Sequence, residues 1–222
     1  MKKLLYNKYD KRLINSLPQA SFKGRIVVVA SEAEAKKAIS FLLKQPILGV
    51  DTETRPSFRK GTHYKVSLLQ VANHDICFLF RLNHIGLCQP IKELLENKQV
   101  AKVGVSLHDD VLMLHGLGSF TPENFIDLQE MVAEIGIEDK SLQKLYANFF
   151  GEKISKSQRL TNWETDILSD KQKIYAATDA WSCINIYEEF IRLKTTGQYI
   201  LEKVEEPNDN IADVQDNTPK EG

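Results

Sequence analysis

Cysteine is scarce: Cys77, Cys88 and Cys183 are the only three in 222 residues, and no two of them form a C-x-x-C pair. That excludes a disulfide-stapled scaffold and a cysteine-ligated zinc site, and implies free thiols in a reducing compartment. Long apolar runs are missing as well. No stretch approaches the roughly 20 apolar residues of a membrane span, and the basic opening from Met1 to Asp10 loses its apolar run too soon for a signal peptide. The expected address is cytoplasmic, with no membrane partner. Charge of one sign is also lacking, since 29 Lys and Arg face 30 Asp and Glu, which excludes a histone-like polybasic binder. With 42% hydrophobic and 27% charged residues, the chain reads as an ordinary globular protein, one domain of about 150 to 200 residues with appendages.

Residues 1–24 are polar and basic without sustained periodicity, and the expectation is an N-terminal arm or short helix. The body follows, over residues 25–196. Arg25 to Ala30 is a β-branched strand, and Ser31 with Glu34 makes a capping box for a helix through Leu43. Ile47 to Asp51 is a short apolar run that breaks into carboxylates, as a buried strand does at its functional end. Tyr64 to Asn73 and Ile76 to Leu82 are two more strands joined by a tight turn, so an antiparallel meander is expected. Alternation then takes over: a helix over Pro90 to Asn97, a strand over Gln99 to Ser106, and a helix from Asp109 to Leu117. A short strand over Phe125 to Leu128 runs into a helix, Ser141 to Phe150 is amphipathic, and the longest helix runs from Asp170 to about Lys194. The sum is an α/β domain with a mixed sheet of five or six strands, a meander followed by parallel strands, flanked by helices. From Lys203 onward six acidic residues face two basic ones, and residues 203–222 read as an acidic disordered tail.

Three features carry chemistry. Asp51-Thr52-Glu53 puts two acids on the same side of a strand, where they repel unless something cationic sits between them. The bland reading is a solvated strand end; the functional one is a site for a hard divalent cation. Tyr175 and Asp179, four residues apart in the long helix, share a helical face beside the small residues Ala176 and Ala177. Alone they read as a core phenol near an acid. Asp109 and Asp110 open a helix after a Val-Gly strand, a position where acids are often only caps. The occurrence of all three in one domain in a fixed order changes that balance.

This ordered set, Asp51-x-Glu53, an aspartate at the start of the helix after Val103-Gly104, and Tyr175-x-x-x-Asp179, resembles motifs I, II and III of the DEDDy 3'-5' exonucleases. Asn162-Trp163 followed by Ser169 to Trp181 is most similar to the branch of ribonuclease D and the Werner-type exonuclease domain. The resemblance runs from about Arg25 to Leu193. Where many members carry Asn or His before the motif II aspartate, this chain has Val105 and Ser106. Asp109 and Asp110 compete for the motif II position, and Asp110 is favoured because the apolar run Val111 to Leu114 follows it directly.

The resemblance implies a ribonuclease H-like fold and a two-metal hydrolysis of phosphodiester bonds with Mg²⁺ or Mn²⁺, the ions about 4 Å apart. Asp51 would bridge the ions, Glu53 and Asp179 would hold the one beside the attacking water, and Asp110 the one at the leaving group. Tyr175 would orient the water, since a phenol of pKa near 10 is a poor base. The implied substrates are single-stranded DNA or RNA 3' ends, released as 5'-nucleoside monophosphates. Arg55, Arg59 and Lys60 follow Glu53 closely and are candidates for phosphate contact, as are Lys65, Lys153, Lys156 and Arg159. Thr52 could contact the terminal nucleotide and Leu107 or His108 could wedge against a base. Trp163 and Trp181 read as packing residues, and the histidines lack ligand spacing. No second nucleic-acid-binding domain is visible, so a protein partner supplying substrate affinity, or a preference for short ends, is expected. The rival reading is a catalytically silent ribonuclease H-like binding module. Setting the tail aside leaves 27 basic against 24 acidic residues, a modestly basic body around an acidic pocket.

Overall fold

A computed structural model describes residues 2–204. In chain order it contains β1 (Lys3–Tyr6), α1 (Lys11–Ile14), β2 (Arg25–Val29), α2 (Glu32–Leu42), β3 (Ile47–Thr54), β4 (Val66–Ala72), β5 (Ile76–Phe80) and α3 (Leu82–Ile85). Then come α4 (Gln89–Leu95), β6 (Ala101–Gly104), α5 (Leu107–His115), β7 (Phe125–Asp127), α6 (Leu128–Ala133), α7 (Leu142–Phe150), α8 (Asp170–Thr196) and β8 (Tyr199–Glu202). Six strands form one mixed sheet in the order β2-β5-β4-β3-β6-β7. The expected meander is its centre, β3-β4-β5 antiparallel, while β2, β6 and β7 add in parallel.

Strand alternation divides the core into two faces. Leu48, Val50, Leu69, Val71 and Phe80 face α2, α4 and α5. Leu68, Ala72, Cys77 and Leu79 face α8 and pack with Trp163 and Ala176, Ala177 and Ala180. A further cluster joins Val103 to α6, α7 and the second half of α8. The 27-residue α8 begins with a reciprocal capping box between Ser169 and Gln172 and ends at Gly197 with φ 63°, the left-handed conformation that glycine adopts without strain. Its alanines let the helix lie almost on the sheet. A Cβ at Gly49 would sit 1.8 Å from the Ala180 carbonyl oxygen, so only glycine fits where α8 crosses β3.

Several boundaries differ from the sequence-based expectation. Residues 1–24 contain a strand as well as a short helix. β1 pairs in parallel with β8, Leu5 is fully buried, and the Asn148 amide of α7 serves the other edge of the strand, accepting from the Tyr6 N–H at 2.9 Å and donating to its carbonyl at 2.7 Å. The second sheet therefore takes in residues on both sides of the expected 25–196 body. β6 is shorter than Gln99 to Ser106 because the Asn97 side chain accepts from the N–H groups of Gln99 and Val100 and turns the chain before it. At the other end Ser106 takes φ 61° and stops it. The expected acidic tail falls almost wholly outside the described residues.

The close approach of α8 to β3 generates a stability prediction. Gly49→Ala should lower unfolding stability by about 2 kcal/mol or more through overpacking, read as an earlier urea midpoint. An unchanged midpoint would show that α8 is free to move away.

Candidate active site

The site is built where β3 leaves the core. Leu48 and Val50 point to the α2 side, which by alternation sends Gly49, Asp51 and Glu53 to the α8 side. There the i, i+4 pair Tyr175 and Asp179 meets them. One carboxylate oxygen each from Asp51, Glu53 and Asp179 lies within 4.8 Å of the others. Glu53, Tyr175 and Asp179 are buried.

Asp110 approaches from the other face of β3 and lies outside that close group of three, near enough to act on Asp51 and Glu53. Its Oδ1 accepts a hydrogen bond from the Thr52 hydroxyl, whereas Asp109 is exposed to solvent. The start of α5 that carries Asp110 is held by a residue outside the expected set. The Asp127 carboxylate accepts from the backbone N–H groups of Ser106 (3.3 Å) and Leu107 (2.8 Å), and also caps α6 through the Gln129 N–H at 2.9 Å. The Gln129 amide ties the Ser106 hydroxyl to the Lys140 carbonyl, both at 2.7 Å. An aspartate at a strand-to-helix junction is an N-cap signal for α6. Its second duty on α5 depends on β6–β7 pairing and is silent in the sequence.

Burial and crowding set the protonation of the cluster. Asp51 is pushed well above the usual carboxylate range, first by burial and then by Asp110, Asp179 and Glu53. Burial followed by Asp179 and Asp110 pushes Glu53 up to about 9. Burial raises Asp179 to about 7, although the Tyr175 hydroxyl and Lys156 favour its charged form. Asp110 rises to about 6, again chiefly by burial, with the Thr52 hydrogen bond opposing. Tyr175 holds its proton more tightly than a free phenol, through burial and the three neighbouring carboxylates. Oδ1 of Asp179 is buried with no hydrogen-bond partner, a costly state in a folded protein. An all-oxygen, multiply acidic donor set with an unpartnered oxygen fits a hard divalent cation.

The cluster opens into a cleft of about 310 Å³ lined by Asp51, Glu53, Tyr175 and Asp179 with Lys156 and Arg159. Lys140 and Gln143 of the α7 approach also line it and carried no sequence signal. Of the other expected contact residues, His108, Arg59 and Lys60 are exposed. Arg55 pairs with Glu164 at 3.1 Å and lies over the Tyr64 ring, 4.7 Å from its centroid. Leu107 is only 4% exposed and packs with Val50, Leu95 and Leu114. Trp163 is fully buried beside Tyr175, their rings 6.0 Å apart. Gln70 is fully buried opposite Asp51 in the β3–β4 register, and neither its amide nitrogen nor its oxygen has a partner.

A family model described as 3'-5' exonuclease matches residues 26–193. The chain is 31% identical over 205 residues to the bifunctional 3'-5' exonuclease/ATP-dependent helicase WRN of Mus musculus, covering 87% of this chain and 15% of that protein. It is 30% identical over 190 residues to a 3'-5' exonuclease of Arabidopsis thaliana, covering 78% of this chain and 66% of the relative. Among solved structures, the Nibbler EXO domain of Aedes aegypti superposes with a TM-score of 0.72 at 21% identity, covering 81% of this chain and 94% of that one. The chain thus spans a small part of the first relative and about two thirds of the second.

The raised carboxyls give the metal-free protein a defined pH dependence. Each holds its proton more tightly folded than unfolded, so the folded state binds more protons from about pH 4 upward. Their contribution to stability is full at low pH and is lost as pH rises through about 6 for Asp110, 7 for Asp179 and 9 for Glu53. In EDTA at pH 8, Asp179→Asn should therefore melt above the wild type, by about 2–4 °C for each kcal/mol of charge-burial cost removed. At pH 4.5 the gap should close. A variant that melts below wild type at pH 8 would contradict that cost.

Proposed function

The chain belongs to the DEDDy 3'-5' exonuclease family, and from that premise we propose that it removes nucleotides one at a time from single-stranded 3' ends, releasing 5'-nucleoside monophosphates. The observation that carries this reading is the meeting of Asp51 and Glu53 of β3 with Asp179 of α8, one oxygen of which has no partner, while Asp110 of α5 stands close enough to raise the pKa of Asp51 and Glu53. With divalent cations bound there, Mg²⁺ or Mn²⁺, the centre supplies charge stabilisation of the attacking and leaving oxygens and lowers the pKa of the attacking water.

This chain's own residues supply the rest. Asp51, Glu53, Asp110 and Asp179 would hold the ions, with Asp51 central because the other three all act on it. Thr52 donates to one oxygen of Asp110, which fixes the carboxylate's orientation. Tyr175 keeps its proton and so serves as a hydrogen-bond donor that orients the water, not as the base. Lys156 and Arg159 line the cleft and offset the charge of an incoming phosphate; Arg159 also favours the ionised form of Glu53. Three free thiols, Cys77, Cys88 and Cys183, support a reducing, cytosolic address.

Matched RNA and DNA strands carrying a label at either end, incubated with Mg²⁺, test the proposal. A 3' label should appear at once as a mononucleotide, and a 5'-labelled strand should shorten stepwise. EDTA should abolish both. Asp110→Asn should cost more in turnover than the about 10- to 100-fold that follows loss of a group merely supporting a metal ligand, whereas Asp109→Asn, at an exposed side chain, should leave turnover nearly unchanged. An inert wild-type chain that still binds strands would make it a silent binding module instead.

A further inference from the structure

A second depression adjoins the carboxylate cleft. It measures about 520 Å³ and is formed by the segment after β3, including Arg55, Phe58, Arg59 and Tyr64, together with Leu160 and Asn162. Both of its walls continue the walls of the cleft. Arg55 stands two residues beyond Glu53 on one side, and Leu160 follows Arg159, which lines the cleft, on the other.

Two large apolar side chains stand open on this one depression: Phe58 is 81% exposed and Leu160 59% exposed, and it is such apolar surface gathered in one place that marks a binding groove. Arg55, lying on Tyr64 and tied to Glu164, fixes the back wall. Arg59 and Lys60 form no ion pair among the described residues. No Asp or Glu occurs between Thr54 and His74, a stretch that carries Arg55, Arg59, Lys60 and Lys65. None occurs between Lys153 and Trp163 either, where Lys156 and Arg159 stand. Two acid-free basic segments thus flank the most acidic point of the molecule, and one of them presents a bare aromatic ring. A flat apolar face among cations matches a base with its phosphates, the combination by which single strands are held without regard to sequence.

We propose that this depression is a subsite for nucleotides upstream of the 3' terminus, in which Phe58 stacks on a base while Arg59 and Lys60 meet the adjacent phosphates. The inference rests on the exonuclease reading for the direction of the strand. It goes beyond that reading in assigning a length preference: strands that reach Phe58 are held more tightly than dinucleotides that end in the cleft.

The test is the affinity of the full chain for a fluorescent ten-nucleotide single strand in EDTA, where no hydrolysis occurs, measured across a salt series. Phe58→Ala should weaken binding about tenfold without changing the slope of log affinity against log salt, and Phe58→Trp should retain it. Removing Arg59 and Lys60 together should instead lower that slope by about 1.4. Affinity for a dinucleotide should not respond to Phe58→Ala. Equal binding of the decamer by wild type and Phe58→Ala overturns the subsite. A wild-type chain that binds through Phe58 yet shortens no strand in Mg²⁺ supports the subsite and overturns the exonuclease reading, so the two failures are distinguishable.

Discussion

The withdrawal from water of four neighbouring carboxyl groups, Asp51, Glu53, Asp110 and Asp179, each raised first by burial, is the constraint on which the rest of the molecule depends. Buried like charges raise one another's pKa and favour any arrangement that separates them. The fold denies that escape. Asp51 and Glu53 are locked by the pairing of β3 with β4, Asp179 by a long helix pressed onto Gly49, and Asp110 by a helix whose first N–H groups are held by Asp127. A centre of this kind is stable when cations take up the charge, which is why its electrostatic cost and its proposed chemistry are one property.

The remaining architecture serves that juxtaposition. Ala176, Ala177 and Ala180 strip bulk from the face of α8 that meets the sheet, allowing Tyr175 and Asp179 to approach β3. The crowded carboxylates also decide the role of Tyr175: a phenol among anions cannot lose its proton near neutral pH, and it is left to donate a hydrogen bond. Beyond the cluster the charge reverses, with Lys156 and Arg159 at its mouth and the basic segment after β3 beside it. The near-zero net charge of the whole chain conceals this separation.

Local signals in the sequence carried much of the fold. An apolar run breaking into Asp51-Thr52-Glu53, the meander spacing, the Ser31–Glu34 capping box and the i, i+4 pair of Tyr175 and Asp179 each act within a few residues. What stayed hidden is non-local. β1 and β8 lie almost two hundred residues apart, and neither has a periodic pattern long enough to announce a strand. Leu107 looked available at a helix start, yet the left-handed turn at Ser106 directs it into the core. Asp127 caps its own helix in a way the sequence permits one to see, while its grip on α5 exists only once β6 and β7 pair. Phe58 stood among basic residues already singled out, but its exposure is a property of the folded segment.

Manganese binding at pH 7.5, followed by the electron paramagnetic resonance signal of the free ion, reads the carboxylate cluster without any substrate. Uptake should saturate at about two ions per chain and be lost when Asp51→Asn removes the central carboxylate. A folded wild-type chain that takes up no Mn²⁺, or an Asp51→Asn chain that binds as the wild type does, would contradict the cluster's role as a metal site.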